Sequence, residues 1–449
     1  MLTWQVNLNK VVDAIPTDAR FVLLGASSHG THEWYTMRAQ LTKMLIEERG
    51  FDAIAIEADF PAAERVNFFV RDLSPDDLTP TQSLKDFKKF PQWLYGNDEF
   101  DHFVGWLHGY NRANKLVGNM DKAGGVGVYG MDIYSRNASA HTVIKYLDEV
   151  DAVAAKRARQ RYACFERYGN DAVSYAFKNA HGDTGCEDAA MAVLMDVIKK
   201  RAEYERKSDG GVLAAEKTFS ALVNARVVKD AEEYYRLMFF SREADTWNIR
   251  DTNMFDTVQA IEQHLREDYH VAAPKIVIWA HNRHISDARA SDMGRVRGES
   301  NLGQLMRQAY GNQAYNVGFL THHGTVAAAE EWGEPVKLKK LKRSLPGSYE
   351  KLLHDTGLPS LAIDLRNASP EVHAALQGPK WQRYVGVIYE PKAEHLNHYS
   401  KSWLPEQYDM VVHVDETKAL APLDADPNWD KFQFQDQEGE PPDTYPFGI

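Results

Sequence analysis

The chain has 449 residues, 44% of them hydrophobic and 11% aromatic, enough for two or three average domains or one large α/β domain with an insertion. A net charge of −12 gives nucleic-acid binding little electrostatic support. No run approaches the roughly 20 apolar residues of a membrane span, and Met1-Leu2-Thr3-Trp4 opens no basic-then-apolar leader, so a cytoplasmic protein without a signal peptide is expected. Two cysteines in so long a chain, Cys164 and Cys186, are not spaced as a metal knuckle and are expected to be reduced thiols.

Residues 4–15 read as a short amphipathic helix. Phe21-Val22-Leu23-Leu24 is a buried strand that stops at Gly25. The loop Ala26-Ser27-Ser28-His29-Gly30-Thr31 then hands on to a helix over 33–49, with Trp34, Met37, Leu41, Met44 and Leu45 at helical spacing and Gly50 as its stop. Residues 51–56 form a second strand, closed by Glu57-Ala58-Asp59-Phe60-Pro61. Strand, helix and strand in so short a stretch make a βαβ unit with parallel strands. That places His29 and Glu57 at carboxyl ends of parallel strands, where open α/β sheets bind ligands.

Helices are expected over 62–70 and 100–114, and a third strand over 124–131. No strand pattern is legible over 138–245, where charged, alanine-rich stretches predict a helical insertion or cap. A helix over 249–267 leads to a strand over 275–279, ended by Ala280-His281-Asn282-Arg283-His284. Further strands are expected at 315–321, 361–365, 384–389 and 410–414, and the acidic, Pro-containing tail from Pro422 should wrap the surface or fray. The fold class is therefore α/β: a mostly parallel central sheet with helices on both faces and a large helical insertion, within a single domain spanning 1–449.

Three strand ends supply His29, Glu57 with Asp59, and His281 with His284. Two mechanisms suit them. His29 can act as a general base on water, with a carboxylate holding its tautomer and stabilising the imidazolium. Alternatively His29, Glu57, His281 and His284 can ligate one divalent metal whose bound water attacks. Spacing alone does not choose. Arg38 is placed to neutralise a substrate carboxylate or to orient Glu57, and Glu33, Asp59 and Asn253 are candidate substrate-binding residues. Ser27 and Ser28 do not sit in the Gly-x-Ser-x-Gly pattern of a nucleophile elbow. Gly124-Gly125-Val126-Gly127 precedes its strand, which is wrong for a dinucleotide fingerprint. His322-His323-Gly324 reads as a turn with solvent-exposed rings.

Taken in order, residues 25–35, 55–61, 106–111, 130–134, 250–254, 279–284, 318–333 and 386–389 resemble the erythromycin esterase family, across about residues 20–420. The resemblance implies a single α/β domain with a largely helical insertion and a deep cleft at the strand ends. It also implies hydrolysis of a small-molecule carboxylic ester, which in macrolide-active members is the lactone ring, opened without a metal or cofactor. By motif position His29 matches the general base, Glu57 an active-site carboxylate, Arg38 an active-site arginine, and His281 and His284 the paired histidines of the cleft. This tips the choice towards metal-free attack by water. The family usually carries a glutamate directly after the first glycine, where this chain has Ala26. Losing such a charge partner removes about 1–3 kcal/mol, or roughly tenfold to a hundredfold in rate. A catalytically impaired cleft protein therefore stays open as an alternative, beside the metal-dependent hydrolase.

Overall fold

A computed structural model describes residues 6–116, 124–168, 171–207, 211–239, 241–425 and Trp429. The fold is mixed α/β, built on a mostly parallel sheet. Its strands are β1 Phe21–Leu24, β2 Ala53–Asp59, β3 Gly127–Asp132, β4 Ile276–Trp279, β5 Ala314–Ala328, β6 Lys337–Leu341, β7 Ser360–Asp364, β8 Lys380–Arg383, β9 Tyr399–Ser402 and β10 Met410–Thr417. The chain divides into two compact units, one of Met1–Phe51, Phe87–Trp106 and Lys275–Ile449, the other of Asp52–Asp86 and Leu107–Pro274.

In the first unit the strand order is β4-β1-β5-β10-β7. β1 runs parallel to β4 and β5, β10 runs parallel to β5, and β7 closes the edge antiparallel to β10. All four residues of β1 and of β4 are buried, as a strand covered on both faces requires, and both are continuous apolar runs. The helix His32–Arg49 packs Trp34, Met37, Leu41 and Leu45 inward and ends at Gly50, whose φ of 69° supplies the left-handed cap.

Two expectations are corrected here. β5 does not stop at residue 321 but runs on through His322-His323-Gly324, because β10 and β6 both pair with its second half. His322 is consequently 1% exposed rather than solvated. Burial and the neighbouring His354, whose ring stacks on it at 3.7 Å, lower its pKa to about 4. Residues 384–389 are not a strand, since Val385 and Ile388 make only isolated bridges to Ser28 and Ala329. Their apolar pattern reports burial instead: Val385 and Tyr389 pack with Val326, Ala328 and Leu341.

In the second unit β2 and β3 pair in parallel, with a register shift between Ile56 and Asp59. The helices Arg136–Val150, Ala152–Tyr162, Ala172–Ala180, Glu187–Lys207, Val212–Leu237 and Glu243–Glu267 follow, with no strand among the described residues between β3 and β4. A buried polar network fastens them. Glu216 accepts from Asn67 at 2.6 Å, Tyr129 at 2.9 Å and Tyr269 at 2.6 Å, with His264 at 3.0 Å. The cysteines are also corrected: Cys164 and Cys186 form a disulfide with a Cα–Cα distance of 5.9 Å. Composition gives a prior on compartment, but it cannot tell that the turn Ala163–Tyr168 and the start of the helix Glu187–Lys207 meet. Among the described residues no helix is long and apolar enough to cross a membrane. The tail beyond residue 425 lies, apart from Trp429, outside the described residues.

Candidate active site

The turn after β1 is tied down peptide by peptide. Gly25 N–H donates to Val317 O at 2.9 Å, and Ala26 O accepts from Asn282 N–H at 2.8 Å. Ser27 O accepts from Val385 N–H at 2.8 Å, and His29 N–H returns to Val385 O at 3.2 Å. Gly30 O accepts from both Ala327 N–H, at 2.9 Å, and Leu420 N–H, at 3.1 Å. Within the turn the Ser28 and Thr31 hydroxyls are hydrogen-bonded, and Trp34 Nε1–H donates to Ser28 Oγ at 3.2 Å. The backbone on either side of His29 is therefore a fixed scaffold.

The structure brings His29 and His281 together, with ring centroids 4.8 Å apart and planes tilted by 33°. They follow β1 and β4, which are paired in parallel from Phe21↔Ile276 to Leu24↔Trp279. His281 caps the short helix Asn282–Ile285, its Nδ1 accepting from Arg283 N–H at 3.3 Å. In the neutral ring that bond leaves the proton on Nε2 and makes Nε2 a donor. His284 lies one helical turn on and is 2% exposed.

Reaching from the end of β4 past the end of β1 to β5 is a residue the sequence reading passed over. Asn282 Nδ2 donates to Phe319 O at 2.8 Å, and its Oδ1 accepts from Phe319 N–H at 3.3 Å. A Cβ on Gly25 would lie 2.0 Å from that Oδ1, so the glycine is needed for the close approach. Arg38 is buried against Tyr35 and Trp279, its guanidinium carbon 4.5 Å and 5.1 Å from the two ring centroids, with Nε donating to Trp34 O at 3.3 Å. It has no carboxylate partner among the described residues. Glu33 is fully buried, and its Oε2 accepts from Lys418 N–H at 2.7 Å. Burial raises its pKa, and the Lys418 bond opposes the shift. Its Oε1 has no hydrogen-bond partner among the described residues.

In the second unit, Glu57 on β2 meets Arg250, which also holds Asp132, and the sequence reading singled out neither. Arg250 Nη2 donates to Glu57 Oε1 at 2.9 Å, while Nε and Nη2 grip Asp132 Oδ1 and Oδ2 at 2.9 Å and 2.8 Å. Burial alone would lower the Arg250 pKa, but the two carboxylates and Tyr134 raise it well above its ordinary value. Asp59 stands opposite Asp132 in the strand register. Asn253, one turn along the helix from Arg250, donates through Nδ2 to Met131 O at 3.0 Å. Asn282, Arg250 and Asp132 all fall in stretches that carry the family resemblance, which was the available signal. Among the described residues, no group of three or more His, Cys, Asp or Glu is arranged to hold a metal ion.

A family model described as Erythromycin esterase matches residues 46–417. The chain belongs to the erythromycin esterase family. Erythromycin esterase type II of Escherichia coli is 21% identical over 417 residues, which cover 89% of this chain and 90% of that protein. A solved structure described as a succinoglycan biosynthesis protein superposes with a TM-score of 0.70 at 18% identity, over 92% of this chain and 91% of the other. The erythromycin esterase EreC, solved as a mutant in its open conformation, gives 0.67 at 16% identity, over 94% and 97% of the two chains. These structures share the fold, and membership of the family supports hydrolase activity on a small-molecule substrate.

Proposed function

We propose that this hydrolase cleaves carboxylic esters by direct attack of water, with macrolide lactones as the substrate class to test first. The observation that carries the reading is the His29–His281 pair, 4.8 Å apart on the ends of adjacent parallel strands, in a chain of this family. His29 takes a proton from water as the water oxygen bonds to the carbonyl carbon and the carbonyl electron pair moves onto oxygen. Collapse of the tetrahedral intermediate breaks the bond to the alcohol, and His29 returns its proton to the departing alkoxide. His281, with Nδ1 engaged by the Arg283 N–H, offers an Nε2–H to the developing oxyanion. Arg38 supplies a fixed positive charge without a carboxylate partner among the described residues. His284, one helical turn after His281, and Glu33 are assigned as supporting and substrate-binding residues of the first unit, and Glu57, Asp59 and Asn253 as functional residues of the second.

The test gives purified protein erythromycin and a panel of small activated esters, with His29→Ala and chelator-treated protein alongside. The expected result is turnover that survives chelation and falls by about 10²–10⁴-fold in His29→Ala. Equal turnover by the two proteins removes His29 from the mechanism. Activity lost on chelation and restored by a divalent cation replaces water attack with metal-assisted hydrolysis.

A further inference from the structure

The helical part of the second unit contains a charge that the proposed reaction does not use. Arg136 opens the helix Arg136–Val150 and is 2% exposed. Its guanidinium carbon lies 4.7 Å from the ring centroid of Phe165, 5.1 Å from Tyr175 and 5.8 Å from Tyr235. Nε donates to Asn137 Oδ1 at 3.1 Å, but Nη1 and Nη2 are both buried with no hydrogen-bond acceptor among the described residues.

The carboxylates whose charge Arg136 feels are already engaged. Glu232 Oε1 accepts from Tyr175 OH at 2.6 Å and from Arg236 Nε at 2.9 Å. Asp171 takes the N–H groups of Val173 and Ser174, at 3.0 Å and 3.2 Å, with the Ser174 hydroxyl. An arginine does not shed its proton to escape burial. Leaving a buried cation without an acceptor is among the costliest arrangements in a protein interior. Aromatic faces favour the cation through its π surface, yet they leave the in-plane N–H donors unsatisfied.

We propose that Arg136 forms a binding site for a small monoanion, a halide or a carboxylate, which accepts in-plane hydrogen bonds from Nη1 and Nη2 inside the ring of Phe165, Tyr175 and Tyr235. The guanidinium fork matches a carboxylate in bidentate fashion and cradles a halide between its two terminal nitrogens. Anion binding of this kind stabilises the helices that supply the rings, because the ligand binds the folded state alone.

The experiment measures the thermal unfolding midpoint of the full chain in a buffer whose only anion is a bulky sulfonate. Chloride, acetate and sulfate are then titrated at constant ionic strength. Chloride or acetate is expected to raise the midpoint along a saturable curve, whereas sulfate gives only the unsaturating rise of an excluded salt. Saturation by chloride alone assigns a halide site, and saturation by acetate assigns a carboxylate site. In Arg136→Met the saturable component is lost, with affinity at least about tenfold weaker. Should that variant fail to fold, Arg136→Lys keeps the charge but not the fork, and calorimetric titration of acetate and chloride into the native protein reads binding directly. The proposal is overturned if neither anion saturates with the native protein, or if the native protein and a folded variant respond alike.

Discussion

Arg250 donates to Glu57 Oε1 at 2.9 Å across 193 residues of sequence, with the same guanidinium chelating Asp132. Both carboxylates and the arginine are largely buried, with side-chain exposures of 4%, 8% and 13%. Removing the cation would leave two acidic groups in a poorly solvated place, so the arrangement fixes Glu57 against Arg250.

Arg250→Met is therefore expected to destabilise the protein by about 3–5 kcal/mol, read as a shift in the urea midpoint at unchanged slope. The double variant Arg250→Met/Glu57→Gln should recover part of that loss, with a coupling of about 0.5–3 kcal/mol. Simple additivity of the two substitutions would mean that Glu57 does not depend on Arg250.

Much of the scaffold was legible, because its signals are local. β1 and β4 are short apolar runs ended by polar turns, and Gly50 marks a helix stop through its own backbone freedom. What was not legible depends on partners distant in sequence. Nothing near Arg250 announces that Asp132, 118 residues away, will receive it. The extension of β5 through His322 exists because β6 and β10 pair with it, and 384–389 is apolar because it is covered, not because it is laddered. His29 and His281 could be placed at strand ends, but their mutual distance required the β1–β4 register. Asn282 shows the same limit, since its two bonds to Phe319 arise only once β4 and β5 flank β1.

The two glycines around His29 should respond differently to alanine. At Gly25 the added Cβ meets the Asn282 side chain, which can rotate away at the expense of its bonds to Phe319. A loss of about 1–3 kcal/mol is expected. At Gly30 the Cβ would lie 1.8 Å from the Ala327 carbonyl oxygen, which is backbone and cannot yield. Gly30→Ala should therefore cost more than Gly25→Ala, above about 3 kcal/mol. Chemical denaturation of the two variants ranks them, and a Gly30→Ala protein as stable as the parent would refute the close approach.

The Glu216 network makes stability depend on pH from both sides. Burial would raise the Glu216 pKa, but Arg71, His264 and Tyr269 bring it down from 4.5 to about 2. That contribution is present above pH 4.5 and is lost as pH falls through about 2. Burial would lower the His264 pKa from 6.5, but its bonds to Asp268 and Glu216 outweigh this and raise it. That contribution is complete below pH 6.5 and is lost as pH rises through the raised value. His264→Gln should flatten the alkaline limb of the stability profile. Glu216→Gln should cost about 3–5 kcal/mol by leaving Arg71 and His264 without their buried partner. An alkaline limb unchanged in His264→Gln would show that another group produces it.

At Ala26 the chain departs from the glutamate usual in the family, three residues before the proposed base. The Ala26 side chain is fully buried, and the Ala26 carbonyl oxygen accepts the N–H of Asn282, the residue that follows His281. Glu33, the nearest acidic residue in sequence, gives Oε2 to Lys418 N–H, and its Oε1 has no partner among the described residues. A carboxylate introduced by Ala26→Glu must crowd a packed turn, at an expected loss of about 1–3 kcal/mol in stability. If it reaches the imidazolium that forms on His29, it stabilises the transition state by about 1–3 kcal/mol, or roughly tenfold to a hundredfold in kcat. Because the charge on His29 develops only during reaction, KM should barely move. The expected result is thus a less stable and faster enzyme, read from the unfolding midpoint and from kcat and KM on the best ester of the panel. A folded Ala26→Glu protein with unchanged or lower kcat would mean that His29 works without a carboxylate at this position.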